Sequence, residues 1–236
     1  MSEFLRGDAI MQAPEIPLTA DPCLPTGNPL SQPGEPFWEA AYFFPPQGAF
    51  SEAEYLSMGT NHLIEFDQGR IEVLPMPTPL HQVLVQFLCR LLEDFAKPRK
   101  LGLVFTAPSP VRLTAEKYRE PDIVLVKPGR LKDLTQPPNG ADLVIEVLSP
   151  GETNRRRDLV AKRHDYAAAQ IPEYWIVDPD DRAVTVLVLE GEQVTEYAEH
   201  GVYREGDTAL SRLLPGFSVD VKALFAEIDM DSTGAG

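Results

Sequence analysis

The sequence predicts an α/β fold in which a mixed β-sheet is flanked by helices and extended by β-hairpins. Three observations carry that expectation. Ile123 to Val126 and Leu143 to Leu148 are short apolar runs of the kind shown by strands buried on both faces. Leu80 to Ala96 carries Leu84, Phe87, Leu88, Leu91, Leu92 and Phe95 at three- and four-residue spacing, the stripe of a core-facing helix. Leu143 to Val177 reads strand, helix, strand, which requires a crossover and at least one parallel pair.

Composition narrows the function classes. The 236 residues include 21 Lys plus Arg against 36 Asp plus Glu, a net charge of −15. Such a chain repels polyanions at long range, which argues against indiscriminate, tight binding to phosphates. Apolar residues make up 43%, enough for a sizeable core. No stretch approaches the roughly 18 apolar residues of a membrane helix. Met1 to Ile10 carries Glu3, Arg6 and Asp8 where a signal peptide would be basic and then apolar. Cys23 and Cys89 are too few for a disulfide scaffold or a four-cysteine zinc site. A cytoplasmic protein without membrane contact is expected.

Along the chain, residues 1–47 read as a proline-rich, flexible tail. Nine of the 23 prolines fall there, and each removes a backbone donor and fixes φ. An aromatic cluster near its end (Phe37, Trp38, Tyr42, Phe43, Phe44) is read as packing onto the domain rather than docking a partner. The domain spans 48–227, and 228–236 is a polar C-terminal tail. Ser51-Glu52-Ala53-Glu54 is a capping-box pattern opening a first helix. Leu63 to Phe66 and Arg70 to Leu74 form a hairpin around Asp67-Gln68-Gly69. Lys97-Pro98 ends the long helix, within which Cys89 is a small apolar residue. Leu101 to Thr106 and Val111 to Leu113 are strands on either side of a proline-rich bend, and Lys127 to Gly140 is a loop. A second long helix covers Asn154 to Ala169, followed by a strand at Glu173 to Val177. Arg182 to Leu189 and Gln193 to Glu199 pair across Glu190-Gly191-Glu192, and a last helix covers Val221 to Glu227.

Two carboxylates stand out. Asp122 opens one apolar run and Glu146 lies near the end of the other, where an ionised carboxylate is costly unless paired or bound to metal. If the strands are neighbours, both acids converge on one sheet edge and can share a hard cation such as Mg²⁺, which takes one or two carboxylates and retains water. Asp158, Lys162 and Tyr166 are spaced i, i+4, i+8 and share a helix face. Two readings of that face stay open. One is a solvated helix with an Asp158–Lys162 pair worth about 0.3–0.5 kcal/mol. The other places the Lys162 ammonium over the end of the Glu146 strand, where it orients water and offsets charge. His62, His164 and His200 have no ligand-like spacing, so zinc is not expected.

Several spaced segments resemble the Uma-two family of putative restriction endonucleases, within the PD-(D/E)XK nuclease-like superfamily. They are Glu120-Pro121-Asp122, Asp142 to Pro150, Arg157-Asp158 with Lys162 and Tyr166, Ile171 to Asp178, and Leu214-Pro215-Gly216-Phe217. Gly69 to Glu72 and Pro79-Leu80-His81 are similar to the family's approach to its first core helix, and the resemblance covers roughly Ser51 to Phe225. It implies a restriction-endonuclease-like sheet and a metal-dependent phosphodiesterase acting on nucleic acid, DNA foremost. Asp122 and Glu146 would be the two acids, holding Mg²⁺ or Mn²⁺ with the Val147 carbonyl. Leu148 occupies the superfamily's usual lysine place, and Lys162 offers the substitute ammonium. His81, Asp158 and Tyr166 would support the site. A homodimer is kept open as the assembly.

Two other function classes compete. Leu148 and the charge of −15 favour a non-catalytic module on a nuclease fold. The aromatic cluster is the hint of an interaction protein acting through its tail. Survival of both carboxylates and a lysine tips the reading toward the nuclease.

Overall fold

The structure, a computed structural model, describes residues 45–58, 63–149, 157–191 and 193–229, and for 157 and 158 the backbone alone. The expectations for residues 1–44, for His62 and for the first turns of the helix after Pro150 lie outside them. Contacts divide the chain into Met1–Pro45 and Pro46–Gly236, and the second unit carries every element named below.

A six-stranded sheet forms its centre. The strands are β3 (Leu103–Thr106), β6 (Ile123–Val126), β7 (Leu143–Val147), β8 (Glu173–Asp178), β9 (Ala183–Val188) and β10 (Ala198–Arg204), in the spatial order β10-β9-β8-β7-β6-β3. β7 and β8 are parallel, as the strand–helix–strand step requires, and the other neighbours are antiparallel. Both faces of the central strands are covered, which is why these segments read as unbroken apolar runs. Alternate residues serve alternate faces. Ile123, Leu125, Leu143, Ile145, Trp175 and Val177 pack under α2 (Pro79–Ala96) and the last helix, α4 (Val221–Ala226). Val124, Val126, Val144, Tyr174 and Ile176 pack against α3 (Arg163–Ala168) on the opposite face.

The long helix α2 begins where its sequence allows. The Thr78 hydroxyl accepts from the His81 N–H, and Pro79 sits at the first position, where a missing N–H costs nothing. That cap fixes His81 on the first turn. The interior stripe of Leu84, Leu88 and Leu92 is fully buried, so Leu88→Ala belongs to the class of core truncations costing about 2–5 kcal/mol.

A second sheet stands beside the first, with the order β2-β1-β5-β4. It comprises β1 (Ile64–Asp67), β2 (Arg70–Val73), β4 (Val111–Thr114) and β5 (Lys117–Arg119). The expected hairpin turn is present, with Gln68 and Gly69 both at positive φ, the mirror-image turn favoured by strand twist. A Cβ at Gly69 would lie 2.6 Å from the backbone of Gly48. Helix α1 (Glu52–Ser57) carries the full capping box and buries Tyr55 against Phe66 and Tyr118.

Three expectations need correction. The strand at Val111 does not continue the main sheet: it turns into β5, a strand the sequence reading missed, and both join the small sheet. The return strand after β9 starts at Ala198 rather than at Gln193. Residues 193–197 make tertiary bonds instead: Gln170 Nε2 donates to the Val194 carbonyl, and the buried Tyr197 hydroxyl donates to the Ile171 carbonyl at 2.7 Å. Those bonds outweigh the local hairpin pattern. Finally, the helix before β8 begins its described part as a π-helical segment, Arg157–Lys162, before tightening into α3. β11 (Thr208–Leu210) and β12 (Ser218–Asp220) form a further unforeseen hairpin.

Candidate active site

Antiparallel pairing of β6 with β7 matches Ile123 to Ile145, which sets Asp122 and Glu146 across from each other one step beyond. The two carboxylates therefore meet at one edge of the sheet, as their strand positions predict. Asp122 Oδ2 lies 3.0 Å from His81 Nε2 and accepts the Val147 N–H at 2.8 Å. Asp122 Oδ1 makes no hydrogen bond among the described residues. The Leu148 N–H points to β8, donating to the Val177 carbonyl. The backbone groups of Val147 alternate with those of Leu148, so its N–H and its carbonyl both face the Asp122 side.

Glu146 is 2% exposed, and its Oε1 takes two donors. Lys162 Nζ lies at 2.8 Å and the Tyr166 hydroxyl donates at 2.6 Å. Lys162 ends the π-helical segment and Tyr166 follows four residues later, so one face delivers both. Segments of this wider helix are frequent at functional sites. Burial, reinforced by the charge of Glu146, holds the Tyr166 hydroxyl well above its ordinary pKa, so it remains a donor.

The solvated reading of Lys162 fails, because its side chain is only 4% exposed and its ammonium is paired with Glu146. Asp158, expected to tether it, has a side chain outside the described residues. Leu148, in the usual lysine place, is buried in the apolar cluster with Val144 and Tyr166 and has a packing role.

Three charged residues to which the sequence reading gave no role complete the surroundings. Glu65, fully buried on β1, accepts from Arg119 Nη1 at 2.9 Å and from the Glu120 N–H at 3.2 Å, with Lys162 Nζ 4.0 Å away. Arg119 also donates from Nε to Asp165 at 3.0 Å. Burial opposes the guanidinium charge, but Glu65 and Asp165 outweigh it and raise the pKa further. Glu120 is buried, and its Oε2 has no hydrogen-bond partner among the described residues. Burial first, and then the charge of Glu65, push its carboxyl up to about 7. One local signal could have drawn attention to Glu65, an acid between Ile64 and Phe66 in a short apolar strand, but nothing local shows what it pairs with.

His81, Glu120, Asp122, Glu146, Val147 and Lys162 line one cavity of about 410 Å³. Its donor set suits a hard divalent cation, because two carboxylates and a carbonyl offer oxygen alone. The orphaned Glu120 Oε2 gives water in this cavity an acceptor. Among the described residues no group of three or more His, Cys, Asp or Glu is arranged to hold a metal. A cation held here would thus rely on the Val147 carbonyl and on water for the rest of its shell. No described helix is long and apolar enough to cross a membrane.

The Uma2 family model, described as "Putative restriction endonuclease", matches residues 50–222. The fold is similar to the crystal structure of a putative nuclease belonging to DUF820 from Anabaena variabilis, with a TM-score of 0.60 and 18% identity. That match covers 78% of this chain and 99% of the other, and at such identity the likeness is one of fold. No curated protein matches the chain.

Proposed function

The chain belongs to the Uma2 family, and from that premise we propose that it is a metal-dependent endonuclease hydrolysing phosphodiester bonds in DNA. The observation that supports this most is the meeting of Asp122, Glu146 and Lys162 at one cavity, from two strands and a helix. Asp122, Glu146 and the Val147 carbonyl would hold Mg²⁺ or Mn²⁺. When bound, the cation supplies a water of lowered pKa and polarises a phosphoryl oxygen.

The remaining work belongs to side chains. His81 and the Val147 N–H fix one oxygen of Asp122, and the other makes no hydrogen bond among the described residues. Tyr166 and Lys162 together fix Glu146. Lys162 carries a positive charge in a water-poor site, where an ammonium offsets charge developing on the phosphate and orients the attacking water. Its position on the helix replaces the lysine that Leu148 displaces from the strand.

The test separates binding from chemistry. Asp122→Asn and Glu146→Gln should each weaken Mn²⁺ binding in calorimetry and remove DNA cleavage, because an amide keeps the shape and loses the charge. Unchanged Mn²⁺ affinity in both variants would sink the metal assignment. A wild-type chain inactive on DNA and RNA with either metal would instead favour a non-catalytic nuclease-fold module.

A further inference from the structure

Two cavities meet at Asp122. The first, described above, has a charged floor, but its wall is apolar: Leu63, Leu74, Pro75, Met76, Pro77 and Pro108. Met76 is 90% exposed, an unusual setting for a large apolar side chain beside a charged site. The second cavity, about 330 Å³, shares Gln82, Ala107 and Asp122 with the first and continues along α2. It is bordered by Gln82, Gln86 and Arg90, which are exposed and spaced four residues apart, so they form a single row on the helix. One side of Asp122 therefore offers an apolar surface and the other a polar row ending in a cation.

That asymmetry matches a single polynucleotide strand. A base has an apolar face for the Leu74–Pro77 wall, and the first cavity falls in the roughly 300–1,000 Å³ range of small-ligand sites. A phosphate at Asp122 would leave the adjoining backbone along Gln82, Gln86 and Arg90. A paired duplex cannot place a base in the walled cavity without flipping it out of the stack. The acidic chain also lacks the overall charge for tracking a duplex through phosphates alone.

We propose that this site takes a single strand of DNA, laid across Asp122 with one unstacked base against the Met76 wall and its backbone along the Gln82–Gln86–Arg90 row. The proposal rests on the nuclease reading for the identity of the polymer, but its test is binding rather than cleavage. The full chain, with Ca²⁺ in place of Mg²⁺, is titrated by fluorescence anisotropy with a 12-nucleotide DNA strand, the corresponding duplex, and an RNA strand of the same sequence.

The DNA strand should bind about tenfold or more tighter than the duplex, since unstacking a paired base costs a few kcal/mol. Met76→Ser should weaken strand binding roughly fivefold by removing apolar contact. Arg90→Ala should reduce the slope of log affinity against log salt by about 0.7, the value of one single-strand phosphate contact. A duplex bound as tightly as the strand, tighter binding of RNA, or strand affinity unmoved in both variants would overturn the proposal. Strand-selective binding by a chain that cleaves nothing upholds it while removing the nuclease reading. Duplex cleavage without strand preference does the reverse.

Discussion

Two neighbouring parallel strands each bury a glutamate, and the two glutamates have different surroundings. Glu146 lies near the end of β7, and Glu173 begins β8, where it pairs in register with Leu143. Both are inaccessible, and both sit in apolar segments. Glu173 is saturated by neutral donors: Trp175 Nε1 at 2.7 Å, the Ser211 hydroxyl at 2.7 Å, and the backbone N–H groups of Arg212 at 2.8 Å and Leu213 at 2.6 Å. It fastens β8 to a distant segment and faces none of the cavities described above. Glu146 has a cation and a phenol as partners and lies at a cavity edge beside Asp122. A buried carboxylate does not by itself mark a site. What distinguishes the two is the kind of donor and the presence of open volume.

The largest expected effect comes from removing the cation that sets them apart. Lys162→Met should lower metal-dependent DNA cleavage roughly 100–1,000-fold, the usual loss for one preorganised charge-stabilising group. It should also destabilise the chain, because breaking a buried ion pair by removing one partner costs about 3–5 kcal/mol. The double variant Lys162→Met with Glu146→Gln, which leaves no unpaired charge at that position, should recover most of that stability and none of the activity. Denaturant unfolding and cleavage assays on the three variants check this. Full cleavage by the single variant would remove Lys162 from the reaction, and a double variant no more stable than the single would show that the pair is not the source of the lost stability.

Glu173→Gln should act in the opposite way. The amide keeps one acceptor oxygen but turns an NH₂ toward donors that need an acceptor, so stability should fall by about 2–3 kcal/mol. Cleavage per folded molecule and Mn²⁺ affinity should be unaffected. If this variant lost metal affinity at a temperature where circular dichroism shows it folded, the separation between the two glutamates would collapse.

How far this contrast was legible in advance depends on where each partner comes from. The strands β6 and β7 and the helix α2 were legible because burial on two faces, or on one stripe, writes itself into local spacing. Asp122 and Glu146 were legible because a carboxylate in a doubly buried strand demands a partner, and Lys162 with Tyr166 because four-residue spacing is local. Glu65 was not, since it reaches Glu120 from a hairpin 55 residues earlier. The role of Glu173 was hidden for the same reason: three of its four donors arrive 38 to 40 residues later in the chain. The start of β10 was misplaced because Gln170 and Tyr197 form bonds that only the assembled fold can bring together.

The smallest and most discriminating effect compares one neutral donor on each glutamate. Ser211→Ala removes one of four donors from Glu173, and Tyr166→Phe removes one of two from the described surroundings of Glu146 Oε1. A net hydrogen bond to a charged group is worth about 1.5–3 kcal/mol, less where other donors remain to share the charge. Ser211→Ala should therefore cost about 1 kcal/mol and leave cleavage alone. Tyr166→Phe should cost a similar amount, since Lys162 still neutralises the carboxylate, but it should also change the reaction. The phenol shares with Lys162 the task of fixing Glu146 Oε1, so its loss leaves the carboxylate less well oriented toward a cation. The expected signature is a weaker Mn²⁺ affinity with a melting temperature close to that of Ser211→Ala. Equal stability losses with equal, unaltered Mn²⁺ affinities would mean that Tyr166 is packing and a structural bond, no different in kind from the donors around Glu173.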